Sequence, residues 1–356
     1  MIVKAVFWSA LAYILYVYIG YPLLLMLWRK LASRPVRKRS QEPNVSIVIV
    51  MHNECQNVRA KMQTCFDLAY PPEKLQIIVS LDAPTDGTDI LIQEYVPRGV
   101  RVLCSTPRGG KAVALNRGMA VATGDIVLFT DARQTLDHNA LRELVANFAD
   151  ESVGAVSGEL VLLDAEGREA SDSVGMYWRY EKVLRAMEGQ IHSVPGMTGA
   201  IYAIRRELFQ PLPPKTVLDD VVIPLRIVLN GKRAVFDPAA RAYDRVSLSP
   251  ELEYEKKRRT LMGNYQLLAE LPELLAPWRN PIFVQFASHK VGRLLIPYCL
   301  AAFFISNLLL LDGFYRLIFA GQVAFYILAA AGCWISHRQS HHAGLQAPAL
   351  ATERKS

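Results

Sequence analysis

The sequence predicts an α/β protein: a domain built on a mixed, mostly parallel sheet, one transmembrane helix before it, two after it, and an interfacial helix ahead of the second span. Three observations carry this. Between about 44 and 268, short β-branched runs alternate with helical stretches, the order that gives a mostly parallel sheet covered on both faces. Apolar residues make up 51% of the 356, and the excess over an ordinary soluble chain sits in the first thirty residues and in about 282–335, as spans rather than a larger core require. Basic residues follow the first and third apolar runs, which puts the middle segment and the C-terminal tail on the cytosolic side.

In chain order, residues 1–30 hold the first span. Ala5 to Trp28 is almost wholly apolar and uncharged, long enough to cross a bilayer. Large residues continue to its end with no small-residue cleavage site, so it is a retained helix rather than a signal peptide. The linker 31–43 continues a basic cluster of Arg29, Lys30, Arg34, Arg37, Lys38 and Arg39. That run is either a solvated linker or, by the positive-inside rule, an anchor against anionic lipid. No nucleic-acid motif accompanies it, so the formal charge of +7 is assigned to the membrane.

Within 44–268, strands are expected at Val45–Met51, Leu75–Leu81, Val100–Leu103 and Asp125–Thr130, with helices over Asn57–Leu68, up to about Glu94, over Lys111–Ala122 and over Asn139–Phe148. The first strand is a continuous apolar run, as in a buried parallel strand. Segment 269–291 mixes Trp278, Phe283 and Phe286 with Arg279, His289 and Lys290, which suits a helix lying in the membrane interface or a packed surface segment. Residues 292–335 hold two spans broken at Asp312-Gly313, and 336–356 read as a disordered cytosolic tail. The five cysteines are scattered and form no C-x-x-C pair, which argues against a disulfide framework and a zinc site. Three spans without an intramembrane charge give no transport pathway.

Ligands of such sheets bind beyond the carboxyl ends of the strands, and there the polar residues gather. Strand one ends in His52-Asn53-Glu54, strand two in Asp82, strand four in Asp131-Ala132-Arg133. A single acid at a strand end is usually a turn or helix cap, and Asp86 and Asp89 fit that description. Three acids on one rim point to a binding site. Gly109-Gly110-Lys111 precedes a helix, a place where backbone N–H groups and a lysine can meet phosphate.

This order and spacing over about 44–268 resembles the membrane-bound family 2 glycosyltransferases, the branch with the cellulose, hyaluronan and poly-N-acetylglucosamine synthases. The resemblance implies a GT-A fold and an inverting transfer of a sugar from a nucleotide-sugar, a UDP-sugar above all, to a saccharide acceptor in polysaccharide synthesis at the plasma membrane. SIVIVMHNE is similar to the family's first strand, so Glu54 would lie near the nucleoside. SLDAPTDGT looks like its base-binding turn, with Asp82 on the base. GGKAVALN places Lys111 on phosphate, and FTDAR puts Asp131 where the family's D-x-D holds metal and donor, with Mg2+ or Mn2+ as the cofactor. Pro195 to Ala200 resembles the acceptor-side turn, with Gly199. Asp219-Asp220 occupies the place of the E-D pair, so Asp220 would be the general base with Asp219 on the acceptor side. These acids also suit a helix N-terminus.

Two positions depart from the family. Arg133 stands where the second acid of D-x-D belongs and pairs either with phosphate or with a neighbouring acid. In place of Q-x-x-R-W the chain has Lys256 to Gln266, with Arg259 on the motif's arginine and Thr260 instead of its tryptophan. Arg258 and Arg259 are assigned to acceptor and donor phosphate, on a helix capped by Ser249 and opened by Pro250. Losing the tryptophan removes a stacking platform for a growing chain. Two other outcomes stay open: transfer to a lipid-linked acceptor such as a polyprenyl phosphate, and a non-catalytic nucleotide-sugar-binding subunit of a synthase complex. Homo-oligomers or partner subunits would complete a polymer channel that three spans enclose poorly.

Overall fold

The computed structural model describes residues 1–164, 166–169, 175–245 and 250–345. The chain divides into two compact units: one of residues 20–246 and 260–292, the other of residues 1–19, 247–259 and 293–356.

The larger unit is built on one eight-stranded sheet, formed by β1 (Val45–Met51), β2 (Leu75–Asp82), β3 (Arg101–Ser105), β4 (Ile126–Phe129), β5 (Thr135–Leu136), β6 (Val153–Leu163), β7 (Tyr202–Arg205) and β8 (Arg233–Arg245). Its order is β3-β2-β1-β4-β7-β6-β8-β5. The first four strands pair in parallel, with Ile47 opposite both Ile77 and Leu128. β7 runs antiparallel between β4 and β6, so the sheet is mixed. β1 and β4 are buried almost throughout because helices cover both faces, which is why their sequences are continuous apolar runs rather than alternating ones.

The helices of this unit are α2 (Cys55–Phe66), α3 (Thr88–Ile92), α4 (Lys111–Ala120), α5 (Ala140–Ala146), α6 (Gly175–Ile191) and α7 (Asp219–Leu229); α1 is the apolar helix Ile2–Ala32 that precedes them. Strand ends fall within two residues of the expected positions and helix ends within a few, with short 3-10 turns finishing α3 and α5. Two cores result. One lies between the sheet and α2 and α5, the other between the sheet and α4 and α7. A smaller cluster joins Tyr21 and Leu25 of α1 to Leu184, Met187 and Ile191 of α6.

Among the described residues, three helices are long and apolar enough to cross a membrane: Ile2–Ala32, Phe283–Leu308 (α9) and Gly313–Gly332, the last being part of α10 (Gly313–Leu345). Pro22 interrupts the first of them. It has no N–H for the carbonyl four residues back, and the turn just before it, Tyr16–Gly20, is widened to a π-helix, the usual accommodation. In the smaller unit Phe7 packs on Phe303 and edge-on against Tyr315, with centroids 4.8 and 5.1 Å apart.

Segment 269–291 differs from the single interfacial helix expected of it. It is one 3-10 turn (Pro272–Leu275), an irregular stretch, and the first turns of α9. Pro277 and Pro281 keep the irregular stretch from closing into helix. The second span therefore starts eleven residues before Leu294. Trp278 stands 83% exposed in that stretch. Helix α8 (Pro250–Glu270) begins where expected, but Ser249 lies outside the described residues, as does 346–356 of the expected tail.

Candidate active site

Asp82 closes β2 with 2% of its surface exposed. Its two carboxylate oxygens accept the backbone N–H groups of Gly109 and Gly110 at 2.7 and 3.0 Å, and Arg108 stands 3.6 Å away. Gly110 has φ +88°, a conformation that costs a side chain and not glycine. The N–H groups that the sequence offers to phosphate are thus turned onto Asp82. On the adjacent strand, Glu54 precedes α2. Its carboxylate accepts from Asn57 Nδ2 at 2.6 Å, and its N–H donates to Thr88 Oγ1 at 2.8 Å. Asp86 is a cap, as its sequence context indicates: it accepts from the N–H groups of Cys55 and Thr88 at 2.9 and 3.0 Å. The Thr88 hydroxyl and these backbone bonds hold its carboxyl below the usual value.

Lys111 opens α4 and is the hub of the other group. Its Nζ lies 2.8 Å from Asp131 Oδ1 and 3.2 Å from Asp219 Oδ1. Burial opposes its charge, but Asp131, Asp219 and Asp220 outweigh that and raise its pKa. Asp131 follows β4. Asp219 and Asp220 open α7, where the helix dipole favours acids. Asp220 Oδ2 accepts the Gly199 N–H at 3.0 Å. A Cβ on Gly199 would stand 3.3 Å from Asp131 Oδ2, 3.6 Å from Asp220 Oδ2 and 3.7 Å from Lys111 Nζ. Glycine there leaves open the space on which these three groups converge.

Burial and the charge of Asp219 push the Asp220 carboxyl up to about 6; Lys111 and Lys290 pull it back, and Asp131 adds to the rise. Lys290 comes from the first turns of α9, and its Nζ would touch a Cβ on Gly196 at 3.2 Å. Asp219 is itself buried, with the Tyr202 hydroxyl 3.4 Å from its Oδ2. The Pro195–Ala200 turn is held from behind: Arg185 of α6 donates to Ser157 Oγ at 2.8 Å and to the Gly196 carbonyl at 3.5 Å.

Arg133 is turned to a neighbouring acid. Its Nη2 donates to Asp244 Oδ2 at 2.6 Å, and Gln134 donates to the same oxygen at 2.9 Å. Among the described residues no three His, Cys, Asp or Glu side chains gather closely enough to hold a metal by themselves. Asp131, with 41% of its side chain exposed beside the open space at Gly199, still fits a hard cation that completes its shell with phosphate oxygens and water.

The structure therefore brings Lys111, Asp131, Gly199, Asp219 and Asp220 together. Asp82 and Glu54 sit on the neighbouring strand ends. Arg258 and Arg259 belong to the other unit. Farther along α8, Gln266 does meet the loop before α7, accepting from Val217 N–H at 3.0 Å and donating to the Lys215 carbonyl at 2.8 Å. Sequence reasoning missed Lys290, Arg185, Asp244 and Lys61. Only Lys61 left a signal, a lysine in register with the apolar face Val58-Met62-Cys65.

A sheet of this order, mixed and mostly parallel with acids at its strand ends, has the frame of the GT-A type fold. Residues 46–212, a little under half of the chain, match the family model of glycosyl transferase family 2. A probable glycosyltransferase of Bacillus subtilis is 26% identical over 243 residues, 62% of this chain and 55% of that one. A beta-monoglucosyldiacylglycerol synthase of Synechocystis is 25% identical over 201 residues, 53% of this chain and 41% of that one. A poly-beta-1,6-N-acetyl-D-glucosamine synthase of Staphylococcus aureus is 23% identical over 254 residues, 67% of this chain and 59% of that one. The chain thus matches about half the length of these relatives. A mannosyltransferase from Pyrobaculum calidifontis, solved with GDP-Man and Mn2+, shares the fold over 93% of this chain and 99% of its own, with a TM-score of 0.71 at 21% identity.

Proposed function

We propose that this chain is an inverting, cation-dependent glycosyltransferase that moves a sugar from a nucleotide-sugar, a UDP-sugar first among the candidates, to a saccharide acceptor in polysaccharide synthesis, with its sheet domain on the cytosolic side of the plasma membrane. The observation that carries this is Asp220, an acid with a pKa near 6, facing the same open space at Gly199 as Asp131 and Lys111.

In this reading Asp82 and Glu54 hold the nucleoside end of the donor. Asp131 holds the cation on the diphosphate, and the cation supplies neutralisation of its charge. Lys111 stabilises the charge that grows on the departing diphosphate. Asp220 takes the proton from the acceptor hydroxyl as it attacks the anomeric carbon. Attack opposite the leaving group inverts that carbon. Gly199 and Asp219 line the acceptor side, and Arg258 and Arg259 would add phosphate and acceptor contacts.

Lys290 favours a second reading. A cation beside the acceptor-side turn, on a helix that enters the membrane, suits a lipid acceptor, and one relative is by its name a glycolipid synthase. A lipid phosphate needs no general base, whereas a hydroxyl does.

The test is nucleotide release by purified protein in nanodiscs, scanned over UDP-, GDP- and dTDP-sugars with Mg2+ or Mn2+, beside Asp220→Asn. Release from one donor, lost in the variant, supports transfer to a hydroxyl. Full activity of the variant supports the phosphate acceptor. No release from any donor, with saccharide and polyprenyl phosphate acceptors supplied, counts against both.

A further inference from the structure

Lys61 has no exposed surface at all. It lies on the buried face of α2, where an apolar side chain of similar length would avoid the cost of taking an ammonium out of water. Its Nζ donates to Thr130 Oγ1 at 2.6 Å and to the Gln134 carbonyl at 2.9 Å. These two acceptors bracket Asp131-Ala132-Arg133. Thr130 Oγ1 passes the connection on, donating to the Ala200 carbonyl at 2.7 Å. Ala200 follows Gly199, whose N–H holds Asp220. One buried cation thus ties both ends of the segment that carries Asp131 and, through a single hydroxyl, the turn that borders Asp220.

Among the described residues no other side chain holds both ends of that segment. Arg133 and Gln134 are anchored to Asp244 on the far side, and the Asp131 carboxylate pairs with Lys111. Without Lys61, Thr130 Oγ1 and the Gln134 carbonyl lose a charged donor in a buried place, and the three-residue segment between them loses its anchor at both ends.

We infer that Lys61 is a positioning residue that sets the Asp131 carboxylate for the cation and diphosphate of the donor. The inference rests on the proposed role of Asp131. Residues that orient a ligating group from behind change metal affinity by about 10- to 100-fold when removed, and that effect is separable from folding.

The experiment is calorimetric titration of the full chain in detergent with UDP and with GDP, each with and without Mn2+. It compares wild type, Lys61→Met, Thr130→Val and the double variant, with thermal midpoints recorded beside them. Lys61→Met is expected to lose about tenfold or more of the affinity that Mn2+ adds, with its cation-free binding unchanged. Thr130→Val is expected to lose part of the same gain, and the double variant no more than Lys61→Met, since both remove one connection. If Lys61→Met fails to fold, Thr130→Val decides. A variant that keeps the whole Mn2+-dependent gain, when wild type has it, overturns the role of Lys61 alone. A wild type that gains nothing from Mn2+ with either nucleotide overturns the role of Asp131 and this inference with it.

Discussion

Arg133 Nη2 and Asp244 Oδ2 lie 2.6 Å apart, so the arginine that replaces the second acid of the D-x-D pattern is a strap between the β4 loop and the end of β8. It is half-exposed while Asp244 is buried. Arg133→Ala leaves Asp244, among the described residues, with Gln134 as its side-chain donor. The expected loss is about 1–2 kcal/mol of stability, below that of a wholly buried pair because water reaches the arginine. A lowered thermal midpoint with nucleotide affinity within a few-fold of wild type is the expected result. A large loss of affinity at unchanged midpoint would place Arg133 on the donor instead.

The pH dependence follows from Asp220. A general base works only when ionised, and burial with the Asp219 charge raises its pKa to about 6. The rate should therefore fall as pH drops through about 6, tenfold per unit below it, rather than near the ordinary carboxylate value. Asp220→Asn should lose about 10²- to 10⁴-fold in rate and lose that acid limb, while nucleotide binding by calorimetry stays close to wild type.

Lys111 holds that base down. Lys111→Met removes the cation that faces Asp131, Asp219 and Asp220. The remaining carboxylates repel one another, so ionising Asp220 becomes harder. The acid limb of the pH–rate profile should move to higher pH, and donor affinity should drop as well. A limb that stays in place would show that Asp220 does not feel Lys111.

Gly199→Ala tests the open space. Its Cβ would meet Asp131 Oδ2 at 3.3 Å, a tight contact with a side chain that can shift only slightly. Stability should change little, while turnover should fall by about tenfold or more, since small misplacements of reacting groups are costly.

A further prediction concerns Glu188 of α6, wholly buried. Its Oε1 accepts from the Tyr21 hydroxyl at 2.6 Å and meets His289 Nδ1 at 2.8 Å. It thus joins α1 and the start of α9 to the sheet domain. Glu188→Ala removes one buried charged acceptor from each of these two groups, a loss of about 1–3 kcal/mol. Thermal unfolding in detergent should drop accordingly, with the pH limb of any residual activity unmoved.

Much of this was legible beforehand because it is local. A continuous β-branched run such as Val45–Met51 has only one comfortable place, between helices in a parallel sheet. An apolar run like Ala5–Trp28 is long enough to cross a bilayer. Acids directly after strands can only stand on the sheet's carboxyl rim, so Glu54, Asp82, Asp131 and the rim itself followed from spacing. The extent of the second span did not, because Trp278, Arg279, His289 and Lys290 look interfacial in sequence, and only packing reveals that His289 is taken up by Glu181 and Glu188.

The sequence by itself determined the alternation of strand and helix, the apolar runs and which residue types stand at each strand end, since these depend on periodicity and on neighbours along the chain. Partners were decided by the tertiary structure alone. That the N–H groups of Gly109 and Gly110 go to Asp82, that Arg133 goes to Asp244, that Lys61 stands beneath the Asp131 loop, and that Gly199 leaves room between Asp131 and Asp220 all join residues 20 to more than 100 positions apart. Hydrogen bonds and charge act over a few ångströms of space, and sequence spacing holds no record of which distant segments fold to within that distance.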